Sequence, residues 1–297
     1  MGESLPPTQI DNVAGPLLPV WLIVATAVCL PFCIAAMWRL GRWWMSTEPI
    51  PLPFDKALPA VRWPPAFGVA LFVGMTVLMV GIANVLYPWA AKAGLLPWEP
   101  LGVPAMFSPG VFLGQIVPPL VGLIVIRFYG RGAAATIGVR TGPLGRTLWE
   151  GLRTLLIILP LCLAALLINV VVVGLLGGQP EVHPLLKAIE TVRAPWVVPL
   201  ALVQAGLLAA MAEEFIYRGV LMMTLLKSMG TDGAIVTSSA LFALVHLQSE
   251  PQAVLPLFVL AVGMGYAAYR TRSLLAPMLT HALFNSLMVL GTFYGAP

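Results

Sequence analysis

Charged residues are scarce in this sequence of 297 residues. They make up 9% of it, whereas hydrophobic residues make up 59%. A soluble domain carries about 25% charged residues, and the even spread of apolar segments leaves no room for a soluble domain of ordinary size. The composition therefore predicts an all-α protein, a polytopic transmembrane helical bundle surrounded by the lipid bilayer. We expect no nucleic-acid partner.

Cysteine is also rare. Cys29, Cys33 and Cys162 all fall in apolar segments, and none stands in a pairing or metal-binding pattern. This excludes a disulfide framework of the secreted kind. The three are interpreted as small buried hydrophobic residues.

Basic residues are missing from the N-terminus. Residues 1–13 contain Glu3 and Asp11 but no Lys or Arg, the opposite of the basic start of a cleavable signal. The first apolar segment is therefore predicted to be a permanent anchor.

Long apolar runs, by contrast, recur along the whole chain. A membrane span needs roughly 20 apolar residues, and about eight candidates meet this requirement, the sixth of them short. They cover residues 17–37, 67–90, 110–128, 147–176, 195–226, 233–247, 252–269 and 274–292.

The placement of Lys and Arg predicts the orientation, because cytoplasmic loops retain these residues. With the N-terminus outside, all but Lys92, Lys187 and Arg193 of the 16 basic residues lie on the cytoplasmic side. Both termini are therefore predicted to be extracytoplasmic, in a plasma membrane of the bacterial type.

Two connections between spans have distinctive compositions. Residues 43–65 are rich in Pro and contain Trp43, Trp44 and Trp63, which predicts an irregular loop along the inner membrane interface. Residues 178–194 mix charged and apolar side chains, which predicts a short amphipathic helix on the outer surface.

The fifth span contains charges where charge is costly. Glu213, Glu214 and Arg218 interrupt an apolar run, and a charged side chain at bilayer depth costs roughly 2.5–3.5 kcal/mol on insertion scales. Glu214 and Arg218 are four residues apart and can pair on one helix face. Glu213, about 100° around the helix, must face elsewhere.

Two further spans contribute polar side chains with the same spacing. Phe242 and His246 are four residues apart, as are His281 and Asn285. A glutamate and two histidines from three helices suit two chemistries. Glu213, His246 and His281 could bind a metal such as zinc. Alternatively, a desolvated glutamate could take a proton from water while histidine and asparagine stabilise an oxyanion.

Taken together, these residues resemble a known family. The patterns are Glu-Glu-x-x-x-Arg at 213–218, Phe-x-x-x-His at 242–246 and His-x-x-x-Asn at 281–285. They stand in the order found in the CAAX-protease and bacteriocin-processing (CPBP) family, which includes the type II CAAX prenyl proteases. The resemblance implies a protease domain over residues 131–297 with its core motifs in 195–292, after an N-terminal transmembrane region, 1–130, of about three spans.

The resemblance also implies roles for individual residues. Glu213 would activate water with the help of His246, while His281 and Asn285 would stabilise the oxyanion. Glu214, Arg218 and Phe242 would support the site. The implied activity is that of a glutamate-dependent intramembrane endopeptidase acting on a membrane-associated protein or peptide. We commit to no cofactor and favour the metal-free route.

Two other functions remain open for these residues. A non-catalytic member of the family could serve in bacteriocin self-immunity or as a membrane scaffold. A proton-coupled transporter would also place carboxylates inside the membrane. The complete set of Glu213, His246, His281 and Asn285 favours the endopeptidase, because a binding protein would not need all four.

Overall fold

The computed structural model describes residues 63–95, 107–129, 143–175, 184–192, 194–248 and 250–295. The first predicted span and nearly all of the proline-rich loop lie outside these ranges. Within them, all regular structure is helical. In chain order the elements are α1 (Pro65–Gly81), π1 (Ile82–Leu86), α2 (Tyr87–Lys92), α3 (Pro109–Tyr129), α4 (Leu144–Leu175), α5 (Pro184–Val192), α6 (Val197–Ala201), π2 (Leu202–Ala209), α7 (Ala210–Glu214), π3 (Phe215–Met222), α8 (Met223–Leu244), a 3-10 turn (Pro251–Ala253), α9 (Val254–Thr271) and α10 (Leu275–Gly295).

Six stretches of the described residues are long and apolar enough to cross a membrane. They are Pro65–Lys92, Pro109–Tyr129, Leu144–Asn169, Val197–Leu244, Pro251–Thr271 and Leu275–Tyr294. The predicted class, an all-α polytopic membrane protein, is thereby confirmed. The count of about eight spans stays a prediction, since the first candidate is not among the described residues.

The 48-residue stretch from Val197 to Leu244 contains a reversal of the chain. Gly230 has φ 67° and ψ −174°, in the left-handed half of the map where a side chain is disfavoured. On either side of it, the Tyr217 and Phe242 rings meet with centroids 5.1 Å apart. The chain therefore folds back at Gly230, and the fifth and sixth predicted spans are separate helices.

The centre of the bundle is π3, whose eight residues are all buried. Around it, α4 packs against α9 and α10, α8 packs against α9, and α1 packs against α3 and π3. The valines of α1 lie on its outer side, with Val69, Val73, Val77 and Val80 exposed. Their spacing of three or four residues marks one helix face, which we assign to lipid.

Both connections with distinctive compositions reach into the described ranges. The structure forms α5 inside the predicted amphipathic segment, with Glu190 exposed and with Leu185 and Ile189 buried against α6 and α10. Trp63, expected at the membrane interface, is only 2% exposed, and its Nε1 donates to Thr224 Oγ1 at 3.1 Å. Protein packing surrounds its apolar ring and supplies a partner for its N–H, while the position of the loop along the inner membrane interface stays a prediction.

Candidate active site

The two adjacent glutamates lie on α7, a single α-helical turn between π2 and π3. Wide π-helical turns are rare and occur frequently at functional sites. Neighbouring residues on a helix diverge by about 100°, and the two side chains accordingly have different surroundings. The side chain of Glu214 is completely buried, whereas that of Glu213 is 20% exposed.

Glu214 and Arg218 form the ion pair that their spacing predicts. Arg218 Nη1 donates to Glu214 Oε1 at 2.8 Å, and both side chains are fully buried. Arg218 Nη2 also donates to the carbonyl oxygen of Ala261 in α9, at 2.9 Å. The pair therefore joins π3 to α9 in the interior of the bundle, where its charges compensate each other.

His281 on α10 contacts both glutamates. Its Nδ1 lies 2.9 Å from Glu214 Oε1, and its Nε2 lies 3.9 Å from Glu213 Oε2. An ionised carboxylate only accepts hydrogen bonds. Nδ1 therefore carries a proton and donates to Glu214, which leaves Nε2 as the nitrogen nearest to Glu213.

Two atoms of this buried network lack partners within the described part of the chain. They are Glu214 Oε2 and Arg218 Nε. Each such atom costs about 1–3 kcal/mol when buried. The network is therefore costly in stability, which is typical of polar groups kept for function rather than for folding.

His246 lies just beyond the last residue of α8, in the turn that leads towards α9. Its Nδ1 is 2.8 Å from the carbonyl oxygen of Phe242. A carbonyl can only accept, so Nδ1 donates and the neutral ring keeps its lone pair on Nε2. This hydrogen bond holds the imidazole of His246 against the end of α8, the helix that precedes it.

Asn285 on α10 is fixed from the side of π2. Its Nδ2 donates to the carbonyl oxygen of Ala205 at 2.8 Å. An amide nitrogen carries two hydrogens, so one N–H is engaged and a second can serve a ligand.

Phe242 packs against most of the site. Its ring centroid lies 5.2 Å from that of His246 and 5.7 Å from that of His281. The guanidinium carbon of Arg218 is 4.9 Å from the same ring centroid. Phe242 thus sets the separation of the two imidazoles and covers the buried cation with an aromatic face.

A cavity of about 270 Å³ brings the predicted residues together. It is lined by Glu213, His246, His281, Asn285 and Phe242. Glu214 and Arg218 do not line it but lie buried behind His281. The four residues expected to act on substrate thus share one space, and two of the supporting residues lie outside it.

Sequence reasoning missed other polar residues at the same cavity. Gln204 on π2, Gln115 on α3 and Glu250 also line it, as do Leu185 and Leu186 of α5. An amide inside an apolar run is itself a signal of function in a membrane protein, and Gln204 and Gln115 both carry that signal. Nothing in the sequence indicated that α5 would border the cavity.

A second cavity of about 470 Å³ lies beside the first between α3, α7 and α10. Apolar side chains line it almost entirely, among them Leu120, Met211, Phe215 and Met278, and Gln115 borders both cavities. The polar site therefore adjoins an apolar space.

The residues named as alternative metal ligands do not form a ligand cluster. Among the described residues, no three His, Cys, Asp or Glu side chains converge as a metal site requires. Glu213, His246 and His281 share the cavity without meeting at one point.

The fold and the site define a polytopic helical membrane protein with a carboxylate–histidine–asparagine site inside its bundle. Residues 195–287 match the family described as Type II CAAX prenyl endopeptidase Rce1-like. That segment is a domain of this CPBP family, and its family indicates a peptidase of the membrane. No curated protein and no solved structure matches the chain.

Proposed function

We propose that the protein is an intramembrane endopeptidase that hydrolyses a peptide bond of a membrane-associated protein or peptide with water activated by Glu213. The observation that carries the proposal is the difference between the surroundings of the two glutamates. Glu214 is buried and bound to Arg218 and His281, whereas Glu213 opens on the cavity beside His281 Nε2. A general base must lie within reach of the water from which it takes a proton, and only Glu213 of the two glutamates lines the cavity where water and substrate can enter.

In the proposed reaction, Glu213 takes a proton from water and the resulting hydroxide attacks the substrate carbonyl carbon. A C–O bond forms, and the carbonyl π electrons move to oxygen. Collapse of this intermediate breaks the C–N bond, and the proton held by Glu213 passes to the leaving nitrogen. His246, on the same cavity, assists this proton transfer.

The oxyanion is stabilised from α10. The second N–H of Asn285 donates to it. His281 donates to it through Nε2 in the form of the ring that is protonated on both nitrogens, with Nδ1 held by Glu214 Oε1 at 2.9 Å. Glu214 therefore acts through His281 by orienting it, and Arg218 acts through Glu214.

A cleavage assay tests the proposal. Purified protein in phospholipid nanodiscs is incubated with a library of membrane peptides, and the products are identified by mass spectrometry. We expect Glu213→Gln, which keeps the shape of the side chain, to remove product formation. Glu190→Gln, at an exposed glutamate of α5, is the matched control and should cleave like the wild type.

The outcomes separate the alternatives. Equal product from wild type and Glu213→Gln would exclude Glu213 as the base. Peptide binding without cleavage by any variant would favour the non-catalytic immunity or scaffold function.

A further inference from the structure

Two glutamine side chains at the cavity have an unused hydrogen-bonding group. Oε1 of Gln204 and Oε1 of Gln115 are buried and have no partner in the part of the chain that the structure describes. Gln204 is only 5% exposed. Most buried polar atoms in native proteins are paired, and each exception requires a reason.

The proposed reaction creates groups that match these amides. A peptide bond inside a helix has its N–H and C=O engaged in the helix, so the segment to be cleaved must first open. Opening leaves main-chain N–H and C=O groups without partners in a medium that contains little water. A glutamine amide offers both a donor and an acceptor, so it can pair with either group.

The positions of the two glutamines fit such a segment. Gln204 lies on π2 next to Ala205, whose carbonyl oxygen holds Asn285. Gln115 lies on α3, at the border between the polar and the apolar cavity. The two amides therefore approach the reaction cavity from π2 and from α3.

We propose that Gln204 and Gln115 form a main-chain binding subsite, in which their amides hydrogen-bond N–H and C=O groups of a substrate segment extended through the cavity. This inference rests on the proposed function and makes the substrate class an unwound stretch of peptide rather than a particular side chain. The glutamines position the substrate and do not take part in the proton transfers.

The test measures binding rather than cleavage. The probe is a fluorescent peptide with an apolar segment of Leu and Ala and a central Gly-Gly pair, added to Glu213→Gln protein in nanodiscs. A second set of probes replaces one central peptide N–H at a time with an ester oxygen, which removes a donor without changing the protein. The variants Gln204→Leu and Gln115→Leu are made in the same Glu213→Gln background.

We expect Gln204→Leu and at least one ester probe each to weaken binding roughly 5- to 160-fold, the loss that follows from one unpaired buried partner. That ester should bind Gln204→Leu no more weakly than the parent peptide does, because the same bond is then already absent. Gln252→Leu, at a buried glutamine that lies off the cavity, is the matched control and should bind like the parent protein.

Three results would overturn the subsite. They are unchanged binding in Gln204→Leu, equal binding of all ester probes and the parent peptide, and no binding of the peptide probe. The third result counts because main-chain recognition does not depend on the side chains of the probe. Each of them is distinct from a failure of the cleavage assay, because no hydrolysis is measured.

Discussion

His281 Nδ1 lies 2.9 Å from Oε1 of Glu214, the glutamate that also holds Arg218. Sequence reasoning placed His281 in the company of Glu213 and gave Glu214 only Arg218 as a partner. In the structure His281 contacts both glutamates, because its other ring nitrogen, Nε2, is 3.9 Å from Glu213 Oε2. The Glu214–Arg218 ion pair is thus connected to the cavity through the imidazole of His281.

Loss of the buried cation should destabilise the protein. Arg218→Met leaves Glu214 buried without its counter-charge, and breaking a buried pair costs about 3–5 kcal/mol. We expect a marked fall in melting temperature and loss of peptidase activity. Arg153→Met is the control, because its pair with Glu150 is partly exposed and pairs of that kind are worth at most about 1 kcal/mol. Equal melting temperatures for the two variants would contradict the prediction.

Asn285 should matter more for turnover than for folding. Removal of one oxyanion donor lowers kcat by roughly 10²–10³, and we expect Asn285→Ala to show this loss with kinetics measured on a cleaved peptide. Asn169→Ala is the matched control, because Asn169 Nδ2 also donates to a main-chain carbonyl, that of Gln252, at 2.7 Å, away from the cavity. Comparable kcat values for the two variants would show that Asn285 only joins helices.

Phe242 should be needed for both stability and activity. Phe242→Ala removes a ring that contacts both imidazoles and Arg218, and truncation of a buried Phe costs about 3–5 kcal/mol. Phe242→Leu retains part of the volume, so we expect a folded protein with reduced kcat because the imidazoles lose their spacer. Leu241→Ala, at the exposed neighbour, should change neither melting temperature nor kcat appreciably.

Gly68 is a close-approach position between α1 and the start of α8. A Cβ at Gly68 would overlap with the side chain of Thr224 and lie 2.7 Å from Trp63 Nε1, and these two groups are already hydrogen-bonded to each other. We expect Gly68→Ala to lower the melting temperature. Gly74→Ala, on the same helix with nothing within 4 Å of its Cβ, should raise stability by up to about 1 kcal/mol through helix propensity.

Metal removal is a separate test of the mechanism. We expect cleavage to survive dialysis against a strong chelator, because the proposed water is activated by the Glu213 carboxylate and not by a metal ion. Metal content is measured by mass spectrometry before and after dialysis, with a zinc-supplemented sample in parallel. Loss of activity that zinc restores would replace the glutamate route with a metal-assisted one.

Local spacing predicted what lies within one helix. The four-residue spacing of Glu214 and Arg218 indicated their ion pair, and the divergence of adjacent residues indicated that Glu213 would face another way. These inferences held because geometry along a helix depends on sequence separation alone. The end of the fifth apolar run at residue 226 and the start of the sixth at 233 predicted a reversal between them, where Gly230 adopts a φ of 67°.

Contacts between helices depend on tertiary packing, which the spacing of residues along one helix does not predict. Glu214 and His281 are 67 residues apart, and the Ala205 carbonyl that holds Asn285 is 80 residues away from it. Trp63, which was predicted to lie in an interfacial loop, donates a hydrogen bond to Thr224, 161 residues away. Each of these pairings depends on which helix faces lie together.

The sequence by itself determined the class of protein and identified the polar residues that are energetically costly inside a membrane. Low charge and recurrent apolar runs require a helical bundle, because only helices or closed barrels satisfy the backbone within lipid. The tertiary structure alone decided which glutamate is buried, which nitrogen of His281 meets it, and that Gln204 and Gln115 border the same cavity. These choices depend on helix packing, where a side chain is buried or exposed according to neighbours that are remote in the chain.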